Sequence, residues 1–399
     1  MKILWISHML PYPPKGGVVQ RSYNLIKETS KKHEIYLVAY NHEARRDLGV
    51  AISHLRQICR EVEVIDCPVN KQEKYRIALS SIVSSLPYTA RWLSSQEFSL
   101  IIRKVIETLK IDIAHFDSID VVEYMQEIGE LPKVLNHHNI ESQMMFRRFL
   151  KEKNLFKRMY FLLEALKLRR FERKVCPLFD MNLTVSELDK ERLQRIIGKS
   201  RIEAIPNGVD VTYFKPSGDD IEARSLIFAG GMEWYPNREA MLFFCKKIWP
   251  LLKKRIPGVK MTIIGRSPPD YMTRISHTDP NLIVTGFVED VRPYIRRAEV
   301  YVCPIRDGGG TKLKILDALA MGKPVVAHPV AIEGIDVETE KHVLTAETPE
   351  EFVQQITRLF QDKNLCDVLK KEGQKLVMER YDFRKIGEKL SQVYLQLRA

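Results

Sequence analysis

Three consecutive glycines, Gly308-Gly309-Gly310, run into Thr311 and Lys312 and then into a helical pattern that carries one acid, Asp317. Glycines between a strand and a helix let backbone N–H groups close on an anion, and the positive end of the helix dipole adds to the attraction. Thr311 offers a hydroxyl, and Lys312 or Arg306 offers positive charge. The spacing is not that of a Walker loop, because G-x-x-x-x-G-K-[ST] is absent. The two readings of the triplet are a phosphate cradle and a plain flexible turn.

Asp317 stands among Ile315, Leu316, Ala318, Leu319 and Ala320. Aspartate is a poor residue for a helix interior, and a buried-looking carboxylate there needs donors. Either the hydroxyls of a ribose supply them, about one turn beyond a phosphate loop, or Lys314 or another residue forms a salt bridge. Two histidines, His137 and His138, follow the apolar run "KVLN". A histidine at a strand end is either a hydrogen-bonded structural residue or part of a site.

The elements that must position these groups alternate along the chain, strand then helix, the pattern of parallel sheets covered by helices. "KILWIS" is followed by a Pro/Gly loop and the helical period of "QRSYNLIKETSKK"; "HEIYLVAY", "IDIAHFD" and "KVLNHH" are further strands. Several end in polar residues, as strand ends that line a ligand crevice do. A second cycle runs through "SLIFAGG", the amphipathic "NREAMLFFCKKIWPLLKKR", "VKMTIIG", "LIVTGF", "EVYVCPI" and "KPVVAHPV". The fold class expected is α/β with two Rossmann-like domains, joined near Pro206-Asn207-Gly208. The boundaries are residues 1–208, with the last helix 382–399 packed back on it, and residues 209–381.

At 399 residues the chain exceeds one ordinary core. No 18-residue apolar run is present, and "MKILWISHML" reads as a strand rather than a leader. Six cysteines stand far apart with no C-x-x-C pair, which argues against a metal knuckle or disulfide framework and fits a reducing cytoplasm. The net charge is +12, and residues 143–175 alone hold 11 basic and 3 acidic residues. No nucleic-acid-binding signature accompanies that charge. Leu155, Met159, Leu162, Leu163 and Leu166 recur in the segment at helical spacing. It is either a helix packed on its own domain by that stripe, or a face that holds the protein at an anionic inner membrane.

"GGGTKLKILDALAMGKPVV" resembles the donor-binding motif of the retaining family-four glycosyltransferases, the "glycosyl transferases group 1" domain of the GT-B fold. It is similar to the subgroup with "GGGTxLKILEA". Further matches in the same order are "HHNIES", "VSELD", "IPNGVD", "FAGGMEWYPN" and "VTGFVEDVRPYI". The resemblance implies two domains facing a central cleft and transfer of a sugar from a nucleotide-activated donor. The acceptor it implies is a polysaccharide or lipid-linked saccharide. By the same resemblance Asp317 holds the donor ribose, Gly308 to Lys312 the diphosphate, and Gly230, Gly231 and Met232 line the donor cleft. Phe287 and Val288 meet the nucleobase, Gly16 and Gly17 belong to a loop closing over diphosphate or acceptor, and His138 is the active-site histidine. Glu141 is a further candidate from that loop.

Two positions depart from the family. Its first motif glutamate falls at Gly309, and the basic pair of many relatives is replaced by Gly231 and Asn237. Charge for the leaving diphosphate then falls to Arg306, Lys312 and Arg238. No cofactor is expected, and without a D-x-D sequence no metal either. The alternatives are a catalytically silent nucleotide-sugar-binding subunit and another GT-B enzyme such as a nucleotide-sugar epimerase. A dehydrogenase is disfavoured, since neither unit has G-x-G-x-x-G after its first strand.

Overall fold

Aliphatic and β-branched residues crowd the central strands because these are buried on both faces, as in parallel sheets covered by helices. The computed structural model describes residues 1–42, 48–218 and 221–398. By internal contacts the chain divides into two units: Met1–Pro206 together with the chain from Arg384 onward, and Asn207–Phe383. These joins lie two residues from the ones set on sequence.

The first unit contains β1 (Lys2–Ser7), β2 (Glu34–Asn41), β3 (Glu61–Asp66), β4 (Ile113–Phe116), β5 (Lys133–Asn136), β6 (Met181–Thr184) and β7 (Ile202–Ala204). They form one parallel sheet in the order β3-β2-β1-β4-β5-β6-β7. The second unit contains β8 (Ser225–Ala229), β9 (Lys260–Ile264), β10 (Leu282–Gly286), β11 (Val300–Cys303), β12 (Val325–Ala327) and β13 (Leu344–Thr345). Their order is β10-β9-β8-β11-β12-β13, again parallel. In both sheets the winding reverses once, between β1 and β4 and between β8 and β11. A crevice opens at the carboxyl ends of the strands at such a reversal.

The last helix, Phe383–Arg398, supplies buried side chains to the first unit. Tyr394 Oη lies 2.8 Å from His115 Nδ1 on β4, and Lys389 Nζ donates to Ala204 O at 2.7 Å. Trp5 stacks on the His115 ring, with ring centroids 3.8 Å apart. Burial pushes the His115 imidazole down to about 3, so it stays neutral in this packing.

Two helical readings change. "NREAMLFFCKKIWPLLKKR" is not one α-helix: Tyr235–Phe243 passes through a π-helical turn, Phe244–Ile248, into Trp249–Arg255. Pro250 has no N–H to give and its ring crowds the preceding turn, and a wider turn relieves both. In the Leu155–Val175 helix the stripe singled out from spacing does not form the packing face. Leu155, Met159 and Leu166 are exposed, while Phe161, Ala165 and Leu168 are buried with Glu164 and Glu172. Glu164 Oε2 accepts from Tyr88 N (2.9 Å) and Glu164 Oε1 from Ser81 Oγ (3.1 Å), so a polar anchor draws that face inward.

Candidate active site

In the second unit β8 ends at Ala229, and Gly230, Gly231 and Met232 turn across the top of the sheet. Gly230 N donates to Ile264 O (2.8 Å) and Met232 N to Arg266 O (2.9 Å), with the Met232 side chain buried. A Cβ on Gly265 would lie 2.0 Å from Gly230 O, so glycine is required where the two strand ends meet.

β11 ends at Cys303, and the glycine loop follows. Gly308 has φ 106° and Gly310 φ 60°, values that L side chains rarely adopt. Asp307 accepts from Gly308 N (2.7 Å, Oδ1) and from Tyr235 Oη (2.9 Å, Oδ2). Lys312 is buried, and its Nζ donates to Gly309 O and Gly310 O, both at 2.9 Å. The lysine therefore pins the loop from beneath. Thr311 Oγ1 accepts from Asn207 Nδ2 at 2.5 Å. The Arg306 guanidinium lies 3.7 Å from the centroid of the Phe243 ring.

Asp317 is only half-buried, although Ile315, Leu316, Ala318, Leu319 and Ala320 around it are buried. It occupies the accessible stripe of the Leu313–Ala320 helix, not its core face, which corrects the buried-looking acid of the sequence. Lys314 does not pair with it; the lysine's Nζ donates to Asn237 Oδ1 at 2.5 Å. After β10, Phe287 is exposed with the Arg266 guanidinium 4.5 Å over its ring, and Val288 packs at the edge of the core. Every donor-site position except the helical Asp317 thus follows the carboxyl end of β8, β10 or β11.

In the first unit His8 follows β1, Asp117 follows β4 and His138 lies two residues beyond β5. His138 Nε2 is 3.4 Å from Asp117 Oδ1, an ion-pair distance without a hydrogen bond. His8 and His138 are tilted rings 5.7 Å apart, and among the described residues His8 Nδ1 has no partner. Burial alone would raise the Asp117 carboxyl, but His138, His115 and His8 around it hold it well below the usual carboxylate range. Burial pushes His8 down to about 4. Asp117 also accepts from Ser22 Oγ (2.6 Å), Ser7 Oγ (3.1 Å) and Asn136 Nδ2 (2.9 Å). Behind it lies Arg21, fully buried, donating to Ile205 O and Pro206 O (both 2.8 Å) and Asn136 Oδ1 (3.1 Å).

This network fixes the carboxylate that faces His138. His8, Asp117 and His138 each bring one ligand-type atom within 4.8 Å of the others. Two imidazoles and a carboxylate can grip a divalent cation or share a proton. Asp117 already accepts three hydrogen bonds, so few of its lone pairs remain for a metal.

His137 is structural: it is buried, pushed down to about 4 by that burial, and its Nε2 meets Asn182 Oδ1 at 3.0 Å. Glu141 opens the Glu141–Lys151 helix half-buried; burial, then the charges of Asp120 and Glu172, push its carboxyl up to about 8. Gly16, with φ 110°, caps the exposed start of the Gly17–Thr29 helix. Sequence reasoning missed His8, Arg21 and Asp117. The polar end of "IDIAHFD" is the signal that could have found Asp117; nothing in the helical period around Arg21 marks it as buried.

Residues 15–213 match the model of Glycosyltransferase Family 4, and residues 223–362 that of Glycosyl transferases group 1. The chain belongs to the family-four glycosyltransferases of GT-B fold.

This glycosyltransferase is similar over its whole length to solved GT-B structures. Anabaena HepE in complex with UDP aligns at TM-score 0.69 and 15% identity, covering 99% of this chain and 100% of that one. A Klebsiella pneumoniae protein described as an uncharacterized 44.6 kDa protein in the cps region is 23% identical over 96% of this chain and 97% of its own. A phosphatidyl-myo-inositol mannosyltransferase of Mycolicibacterium smegmatis is 30% identical over 36% of this chain and 38% of its own.

Proposed function

We propose that the chain moves a sugar from a nucleotide-activated donor to a saccharide or lipid-linked saccharide acceptor, with retention of anomeric configuration and without a metal ion. The observation that carries this is the pinned glycine loop at the β8/β11 reversal, with Asp317 on the accessible stripe of the helix that follows. Asp317 takes the ribose hydroxyls, and the loop from Gly308 to Lys312 takes the diphosphate. Gly230 to Met232 form the floor of the site, and Phe287 with Val288 flank the base. Backbone donors fixed in advance stabilise the negative charge of a departing diphosphate without reorganisation.

His138, held against Asp117, serves the transferred sugar, and Glu141 with Gly16 and Gly17 belongs to the acceptor side. The UDP complex of HepE and the lipid acceptor named for the mycobacterial relative support these classes of substrate. Retention rests on the family resemblance, and the anomeric proton coupling of the product checks it.

Calorimetric titration of the full chain with UDP, GDP, dTDP and ADP, with and without EDTA, tests the donor site. One nucleotide should bind, ignore EDTA and lose about tenfold or more in affinity in Asp317→Ala. No binding, or an unaffected Asp317→Ala, removes the donor-site reading. Binding without turnover in an acceptor pool puts the silent subunit ahead.

We further infer a location on the cytoplasmic face of an anionic membrane. Phe156 is 86% and Leu155 67% exposed at the start of a helix rich in lysine and arginine. Tyr75, Leu79 and Val83, at 75%, 68% and 91%, lie on and just after the Lys71–Ser81 helix. That helix is tied to the Leu155–Val175 helix by Lys167 Nζ donating to Ser81 O and by the Ser81–Glu164 hydrogen bond. Apolar side chains in water among cations suit the headgroup region of an acidic bilayer.

A further inference from the structure

Lys314, in the first turn of the Leu313–Ala320 helix, reaches across to the end of β8. Its Nζ meets Asn237 Oδ1 at 2.5 Å and stands 4.4 Å over the Phe228 ring. Asn237 is itself oriented, its Nδ2 donating to Gly231 O at 2.8 Å. Glycine at 230 leaves the ammonium room: a Cβ there would lie 2.3 Å from Lys314 Nζ and 2.7 Å from Asn237 Nδ2, so both side-chain ends would have to shift. Among the described residues no carboxylate comes within 4.0 Å of this ammonium. An ammonium has three donors, and one amide oxygen and a ring face leave most of that capacity unmet. The Asp317 carboxylate acts on it only from beyond ion-pair distance, so this half-buried ammonium has donors left for an arriving anion.

The other cations of the half-site are engaged elsewhere. Lys312 holds the carbonyls of Gly309 and Gly310, Arg306 lies on Phe243, and Arg238 Nε stands 3.7 Å from Glu239. We propose that Lys314 supplies the positive charge that meets the donor's diphosphate, brought to the β8 strand end from the helix behind the glycine loop. The assignment rests on the donor-site reading above and replaces Arg306, Lys312 and Arg238 as the source of that charge. Asn237 and Gly230 are then positioning residues, one tethering the ammonium and the other leaving it room.

The test is calorimetry of the full chain with UDP, GDP, dTDP and ADP and with the matching nucleosides. Lys314→Met keeps the apolar stem and removes the charge. It should weaken the diphosphate by about ten- to a hundredfold and leave the nucleoside unchanged. Gly230→Ala, which keeps the charge but displaces it, should weaken the diphosphate in the same direction. Without nucleotide, Lys314→Met should melt no lower than wild type, because no carboxylate stands at ion-pair distance from the lysine. Diphosphate affinity within about twofold of wild type, an equal loss for the nucleoside, or a variant that fails to fold would each overturn the assignment. If the wild type binds no diphosphate, the donor site itself is wrong, an outcome separate from any effect of the variants.

Discussion

Two neighbouring glutamates in the first unit set a pH dependence opposite in sign to that of the buried histidines. Glu172 accepts from Ser142 N (3.1 Å) and Ser142 Oγ, and burial pushes its carboxyl up to about 7; Glu141 is raised to about 8. Both folded values lie above the unfolded one, so the folded chain binds more protons between pH 4.5 and 8. Their stabilising contribution is complete below the unfolded value and is lost as pH rises through 7 to 8. The unfolding free energy from urea melts should fall between pH 6 and pH 9 by on the order of a few kcal/mol. Glu172→Gln should flatten that fall, and an unchanged slope in the variant would assign it to other groups. At this scale the sequence was least legible. Lys314 and Asp317, three apart on a helix, suggest a salt bridge, but the lysine goes to Asn237, a partner 77 residues away that only the folded sheet brings near.

At the scale of elements, strands with continuous apolar runs could be read directly, because burial on both faces leaves no polar alternation to confuse them. β3, "EVEVID", alternates charge with valine at the edge of its sheet and escaped notice, as did β7 and β13, of three and two residues. The glycine loop could be recognised as a loop, but not the lysine that pins it. Its geometry gives a direct comparison. A Cβ on Gly308 would lie 3.1 Å from the Trp234 ring at a positive φ, whereas one on Gly231 meets nothing within 4 Å. Gly308→Ala should lower stability by about 1–2 kcal/mol and weaken nucleotide binding. Gly231→Ala should leave the melting temperature unchanged. Thermal melts of the two variants check this, and equal melts would mean the loop tolerates the strain.

For the molecule as a whole, the clearest surface feature is the basic, apolar-studded face of the first unit. The full chain should sediment with vesicles containing phosphatidylglycerol and remain in solution with phosphatidylcholine alone. Reversing Arg147, Arg148, Lys157 and Arg158 should abolish sedimentation, as should Leu155→Ser with Phe156→Ser, which alter only exposed side chains. Arg148 and Arg158 also lie over the Phe161 and Phe149 rings, so the serine pair is the cleaner variant. Sedimentation unaffected by either set would leave the face as a solvated surface. Here the sequence supplied the charge but left the apolar stripe open between packing and a membrane face, because helical spacing alone does not tell which of two apolar faces meets the protein.

The last helix has a consequence for how the protein is made. Asn207–Phe383 is one continuous stretch, but the first unit is assembled from both ends of the chain. The imidazole of His115 waits for Tyr394, the carbonyl of Ala204 for Lys389, and the surface at Glu28 for the close approach of Gly387. During synthesis the segment translated second can therefore finish folding first. The segment translated first is held incomplete until the codons for residues 384–398 have been read, and a chain interrupted before them lacks the helix that completes its first unit.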